Sequence, residues 1–394
     1  MKILKSFLIV TFLTVFSSGC QDIDEGPKPE KGEKSPVAEA GTIFPDSQWL
    51  RAKPEDQGFD QAVIDSIGEI MKKNKANGVL IRNGYLVGEW SFGGEADKKF
   101  DTQSVSKSIA SMTLGLAIRD NLISSIDDLV VDYYPDFKCG PYSDSITFRH
   151  LVTNTSGIAL TRWKHQRNPG WMKPGIENHY HNDHWTELAR ALTYIFGKPL
   201  KQVLEENVLN VIDAEMDWWK DHTIGGYVRK ENGDSILVNA GYAFSCWSAR
   251  DLARVGYLYL NKGNWKGKQV IPEEYVRESW TEITQPIGGH RPGPGKAKRV
   301  SFAGYGLGWW TGKGSGIWSM SGNGGQFCVV IPKYNIVMTK VNDYNIERKQ
   351  QLSNIAFIPL VLKAMGEDVS EMMKMYRQMM RKRENTQTQD REIR

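Results

Sequence analysis

The stretch that most constrains this chain is SVSKSIASMTLGLAI, Ser104 to Ile118. Its residues are apolar or small on every face, the pattern of a helix enclosed on all sides. Enclosing a helix takes packed layers around it, and 394 residues are enough to supply them. Lys107 is the single charge in that stretch. A lone ammonium in a buried helix is expensive, and chains keep such groups when they are paired or used.

The elements around this helix follow from local signals. GVLIRNGYLVGEW predicts a hairpin, with Asn83-Gly84 supplying a type I′ turn. Strand signals return late, in YGLGWW, QFCVVIP and NIVMTKV, the last two joined through Pro332-Lys333-Tyr334. Between Asn121 and Asn239 the text is helical stretches and long polar loops. SARDLARVGYLYLNKG predicts an amphipathic helix closing on glycine, and PEEYVRESW a helix opening on proline. Leu352 to Met365 reads as a helix with Pro359 as a kink or late break. Strands at both ends with helices between them predict an α+β fold with a discontinuous domain. Its sheet part is expected at about 45–103 and 245–366, and a helical insert at about 104–244. Residues 367–394 read as a Met-rich helix and a polar tail. A cleft is expected at the seam, where ligand sites often sit.

The formal net charge of +4 is small for this length and no basic block interleaves with aromatics, which argues against nucleic-acid binding. The N-terminus reads as an export signal over residues 1–20: Lys2 and Lys5 precede an apolar run, Phe7 to Phe16, too short to span a bilayer. Ser17-Ser18-Gly19-Cys20 resembles a bacterial lipobox, whose cysteine becomes the lipidated N-terminus. Ser17 stands where leucine is usual, so cleavage without lipid is the plainer alternative. Residues 21–44, rich in Asp, Glu, Lys, Pro and Gly, read as a tether. The expectation is an exported lipoprotein anchored to a membrane, with the outer membrane or cell surface favoured. Cys139, Cys246 and Cys328 lack metal-type spacing and read as buried free thiols.

Three elements carry chemistry. Ser104-Val105-Ser106-Lys107 is the one S-x-x-K in the chain, and i,i+3 spacing puts both side chains on one helical face. The plainer reading is a serine N-cap with a lysine on the first turn. The sharper one is a nucleophile beside its base, which needs the Lys107 pKa to fall from ~10.4 towards ~7–8 by burial, a shift of roughly 4 kcal/mol. Tyr180-His181-Asn182 is a Y-x-N in a loop before a helix expected to open at Trp185. A rival Y-x-N, Tyr259-Leu260-Asn261, is explained by a core face and a helix end. Third, Met320-Ser321-Gly322-Asn323 lies at a strand edge, where a glycine allows close approach of substrate to backbone.

In order and spacing, S-x-x-K, Y-x-N and x-[ST]-G resemble the serine β-lactamase and penicillin-binding-protein superfamily, nearest its class C and esterase-like branch. ITFRHLVTNTSGI, SIDDLVVDYYPDF and YGLGWW add to the likeness, which extends from about Leu50 to Val341. It implies a five-stranded antiparallel sheet flanked by helices, an all-helical subdomain and an acyl-enzyme at Ser104. Lys107 and Tyr180 would move the proton. Asn182, Met320, Ser321, Gly322 and Asn323 would bind a small-molecule or cell-envelope substrate, with the Ser104 and Asn323 amides as oxyanion hole. No cofactor is needed. One departure stands out: Met320 occupies the position where β-lactamases and peptidases of the superfamily usually carry lysine.

His179 to His184, HYHNDH, also fits H-x-H-x-D-H, a zinc-ligand signature of metallo-β-lactamase-fold hydrolases. That reading wants an apolar strand running into the first histidine, and the approach here is WMKPGIEN. It is the least favoured reading, and the three histidines are expected on a polar cleft wall. An inactive binding or sensor module on the same fold is the alternative of another class. Trp163, His165, Trp171 and the basic loop GGHRPGPGKAKR are candidate pocket-shaping residues.

Overall fold

The computed structural model describes residues 42–158, 172–219, 226–285, 287–288, 303–345 and 352–374. The signal region, Cys20, most of the tether, Trp163, His165, Trp171, nearly all of the basic loop and most of the tail lie outside the described residues.

In chain order, the elements that build the site are as follows. Helix α1 (Gln61–Lys73) precedes the hairpin β1 (Asn77–Arg82) and β2 (Tyr85–Ser91). Next come β3 (Phe100–Asp101), α2 (Val105–Arg119), α3 (Phe148–Val152), β4 (Asn178–His179) and α4 (Asp183–Phe196). Strands β5 (Met216–Trp218) and β6 (Ser245–Trp247) lead to α5 (Ala249–Leu260) and α6 (Glu273–Ser279). The chain closes with β7 (Ala303–Tyr305), β8 (Trp310–Gly312), β9 (Trp318–Gly322), β10 (Gln326–Ile331), β11 (Ile336–Val341) and α7 (Asn354–Ala364).

The main sheet has seven strands in the order β7-β8-β9-β10-β11-β1-β2. Its pairings are antiparallel, and β1 from the N-terminal part lies against β11 from the C-terminal part. Asn83 and Gly84 both have positive φ (52° and 84°), as a type I′ hairpin requires. Alternation along the strands divides the core between two faces. Met320, Cys328, Val330 and Val337 join the cluster that includes α2, α4 and α5, whereas Phe327, Val329, Ile336 and Met338 pack with α1 and α7. Helix α2 sits inside the first cluster, buried from Val105 to Ala117.

Several expectations change in detail. Among the described residues the sheet has seven strands rather than five: YGLGWW is divided, with Gly306 to Trp309 turning between β7 and β8 and Gly308 at φ 81°, and Trp318–Gly322 adds β9. The insert is not all-helical, since β4, β5 and a small hairpin of Tyr227–Arg229 with Ser235–Leu237 lie within it. The last tether residues are already packed, with the Tyr257 hydroxyl donating to the Ile43 carbonyl at 2.6 Å and the Phe44 ring against Trp265. Pro359 lies inside α7, and Cys139, Cys246 and Cys328 are buried free thiols.

Candidate active site

Ser104 stands at a corner built by its neighbours. The pairing of β3 with β6 anchors the approach, and the Thr102 N–H and hydroxyl both donate to the Ser245 carbonyl, at 3.0 and 2.8 Å. The Asp101 carboxylate accepts from the Gln103 backbone N–H at 2.8 Å and from its side-chain amide at 2.6 Å. These bonds hold Gln103 at φ 53°, a left-handed conformation that is strained for a residue with a Cβ. The chain then turns straight into α2, with the half-buried Ser104 as its N-cap.

Lys107, one helical turn on, is buried at 1% exposure. Its Nζ lies 3.0 Å from each of Ser104 Oγ, Asn182 Oδ1 and the Tyr242 carbonyl. Burial pushes its pKa from 10.5 to about 7. The three contacts have unequal roles. Asn182 Oδ1 and the Tyr242 carbonyl can only accept, so they take two N–H groups whatever the charge. The third position faces Ser104. There an ammonium donates to the hydroxyl, and a neutral amine presents its lone pair to the hydroxyl proton.

Asn182 and Tyr180 arrive on a braced loop. The Asn178 amide donates to the Thr153 carbonyl at 2.6 Å, and the His179 N–H to the Asn154 carbonyl at 2.9 Å. The Trp185 indole donates to Asn154 Oδ1 at 2.7 Å, which ties α4 to the same loop. Asn182 is the N-cap of α4, which opens at Asp183, two residues before the expected Trp185. Tyr180 is half-buried and hydrogen-bonds with Ser104 and Trp310. Burial pushes its phenol up to about 12, with those bonds opposing. The Lys107 Nζ lies 5.0 Å from the centre of its ring, within cation–π range.

Ser104 and Asn182 are both N-caps of favoured types, and neither side chain caps its helix. Both have helical backbone angles (φ −68°, ψ −3° and φ −79°, ψ −25°), not the extended ones from which a side chain caps. Both side chains turn instead to the same nitrogen, so the plainer reading of S-x-x-K as a helix cap does not hold. The rival Tyr259-Leu260-Asn261 is, as read, a buried ring and the C-cap of α5.

The third element is placed differently from its reading. Gly322 is needed for backbone-to-backbone approach, because a Cβ there would meet the Thr102 carbonyl at 2.1 Å. The end of β9 is thereby seated against the segment that delivers Ser104. Met320, expected at the substrate, is fully buried opposite Cys328 and offers no surface to a ligand. The Ser321 hydroxyl pairs with Ser319 Oγ at 2.9 Å, and Ser319 accepts from Asn354 of α7 at 2.9 Å. Asn323 is exposed at the turn that follows. Among the described residues, neither the Ser104 nor the Asn323 N–H bonds a backbone carbonyl.

The histidines are interior residues and not a cleft wall: His179, His181 and His184 are 4%, 8% and 0% exposed. His184 Nε2 lies 2.9 Å from the His179 carbonyl and must donate, which leaves Nδ1 to accept from Ser156 Oγ at 2.7 Å. Burial pushes the His184 pKa down to about 3, and both nitrogens are committed. His181 stacks on it at 3.8 Å and is likewise lowered, by burial and then by the neighbouring imidazoles. The signature's imidazoles therefore do not converge, and the described residues hold no group of three metal-ligating side chains.

Sequence reading missed the Tyr242 carbonyl, the Asp101–Gln103 brace and Lys340. A carbonyl carries no residue-type signal. Lys340 carried one, as a charge inside the apolar run NIVMTKV.

The fold and this cluster are those of a serine hydrolase of the β-lactamase superfamily. The description of the Beta-lactamase family matches residues 64–344, and the chain belongs to that family. Solved structures share the fold at low identity. A putative β-lactamase from Bacteroides dorei has a TM-score of 0.61 at 17% identity, covering 78% of this chain and all (100%) of that one. A putative 6-aminohexanoate-dimer hydrolase from Bacillus anthracis has 0.56 at 20%, covering 85% and 90%. EstCE1, a hydrolase with promiscuous acyltransferase activity, has 0.54 at 14%, covering 73% and 94%.

Proposed function

We propose that this protein is an envelope-anchored serine hydrolase that cleaves an ester or amide through an acyl-enzyme on Ser104. The observation that carries the reading is the convergence of two side chains, Ser104 and Asn182, on one buried amine. With its pKa at about 7, Lys107 is half neutral near neutral pH and can take the Ser104 proton as Oγ bonds the carbonyl carbon. The oxyanion so formed accepts from the Ser104 and Asn323 N–H groups. Tyr180, held near 12, stays a phenol: it gives its proton to the leaving group as the C–O or C–N bond breaks and regains one from Lys107. Asn182 holds Lys107 and the incoming carbonyl group. Water then releases the acid and frees Ser104.

The substrate class follows from Met320. A thioether buried in the core supplies no charge for a carboxylate, and the side chains of β9 carry none. The lost charge-assisted contact is worth about 1.5–3 kcal/mol. Uncharged esters and short amides are therefore favoured over β-lactams and D-alanyl peptides. The hydrolase names among the structural neighbours agree with an ester or amide substrate. The test compares short-chain acyl esters with a chromogenic cephalosporin on wild type and Ser104→Ala. Ester turnover lost in Ser104→Ala, with cephalosporin turnover by wild type weak beside it, is expected. Cephalosporin turnover by wild type as efficient as ester turnover contradicts the substrate assignment.

A further inference from the structure

Lys340 is a second buried lysine, and the chemistry above does not use it. It sits in β11, paired with Phe327 and Gly78 across the sheet and 0% exposed. Phe327 packs on the α1 and α7 face, so the Lys340 side chain lies behind the sheet, opposite Met320 and the catalytic helix. Burial lowers its pKa to about 7. Its ammonium donates to the Gly325 carbonyl at 3.1 Å and to Asn342 Oδ1 at 2.7 Å.

Those two bonds open a network that ends on one turn. The Asn342 amide donates to the Gly324 carbonyl at 3.2 Å and to the Asp343 carbonyl at 2.8 Å. Gln326 clasps the Asn342 backbone from the other side, accepting its N–H at 2.9 Å and donating to its carbonyl at 2.5 Å. The turn runs from Gly322 to Gly325, closed by the Gly325 N–H on the Gly322 carbonyl at 3.2 Å, with Gly324 at φ 84° in its third position. That is the arrangement of a type II turn. Three of its four residues are glycines, with no side chains of their own to fix it and much backbone freedom to lose. The Gly324 and Gly325 carbonyls are tied from behind, and the one residue of the turn that is not glycine is Asn323 in its second position.

We infer that Lys340, acting through Asn342, is a positioning residue that holds the Gly322–Gly325 turn, and with it the Asn323 N–H, against the Ser104 corner. The inference rests on the acyl-transfer reading above. Oxyanion donors work only when fixed in advance within a few tenths of an ångström, and a glycine turn does not fix itself. A buried lysine carries a desolvation cost, and here its N–H groups are directed at the turn and at the residue that ties it. Its presence in the middle of an otherwise apolar strand is therefore better explained by the turn it holds than by stability.

The experiment uses the full chain carrying Lys340→Met, with Asn342→Ala as a second variant that breaks the same network without altering the strand. Thermal unfolding, hydrogen exchange across residues 322–327, and kcat and KM on a short-chain acyl ester are measured for each. Expected are cooperative folding, exchange in the turn raised at least about tenfold with α2 unchanged, and kcat reduced by about 10–100-fold at a KM within about twofold. Unchanged exchange in the turn of either folded variant overturns the inference. So does a kcat within about twofold of wild type, or exchange raised throughout the sheet in step with a lowered Tm. If the wild type turns over no ester, the acyl-transfer reading fails separately, while the exchange data still decide whether Lys340 holds the turn.

Discussion

Asn182→Asp tests the base most sharply, because it changes charge without changing shape. The introduced carboxylate takes the place of an oxygen that lies 3.0 Å from the Lys107 nitrogen. Burial has lowered that lysine from 10.5 to about 7, about 5 kcal/mol in favour of the neutral amine. At this distance and an effective dielectric of about 20, the new charge pair is worth roughly 5 kcal/mol in the opposite direction. The ammonium is then restored to about its ordinary pKa. Near pH 7 the neutral fraction falls from about half to below about one in a thousand. A pH series of kcat/KM on an acyl ester is expected to show an acid limb near pH 7 in wild type. In the variant it moves up by about three units, with about a thousandfold less activity at pH 7. The same change has a stability signature. Lys107 has a lower pKa folded than unfolded, so the unfolded chain binds more protons between pH about 7 and 10.5. Its contribution makes stability rise with pH across that window and fall as pH drops towards 7. Lys340 contributes in the same window, so the variant is expected to flatten the rise by the Lys107 share alone. An acid limb still near pH 7 in a folded Asn182→Asp protein refutes Lys107 as the base.

Two further expectations concern the turn and the membrane. Gly322→Ala drives a Cβ to 2.1 Å from the Thr102 carbonyl, a backbone atom that cannot swing aside. Thermal unfolding is expected to show a loss of about 1–3 kcal/mol, with ester turnover falling further than stability explains; an unaltered variant means that β9 does not seat against the Ser104 corner. Cys20→Ala is expected to shift the protein from the membrane to the soluble fraction or to block its processing, and a normally cleaved variant that stays membrane-bound rules out the lipid at that position.

Legibility followed the range of the interactions. The Asn83-Gly84 hairpin, the buried α2 and the Ser104–Lys107 spacing are local, so pattern and turn chemistry were sufficient to place them. The choice between helix cap and nucleophile at Ser104 was not local. It depended on Asn182 and on the Tyr242 carbonyl, 135 residues from Lys107 in the chain, which pattern reading cannot join. In YGLGWW the aromatic residues favour one strand, and the left-handed turn at Gly308 that divides it leaves only a glycine as its local signal. The motif position of Met320 points to the substrate, and its burial comes from the sheet face it shares with Cys328, which packs into the first core cluster. Lys340 sits within a good strand pattern that says nothing of its role, because the carbonyl it serves belongs to a turn 15 residues earlier.

The central claim is that Ser104 is the nucleophile and Lys107 its base. Peptide mapping by mass spectrometry after reaction with a fluorophosphonate tests it directly. Expected is one phosphonyl adduct on Ser104, absent in Ser104→Ala and formed at least about a hundredfold more slowly in folded Lys107→Ala. An adduct on another residue, none at all, or a labelling rate indifferent to Lys107 contradicts it.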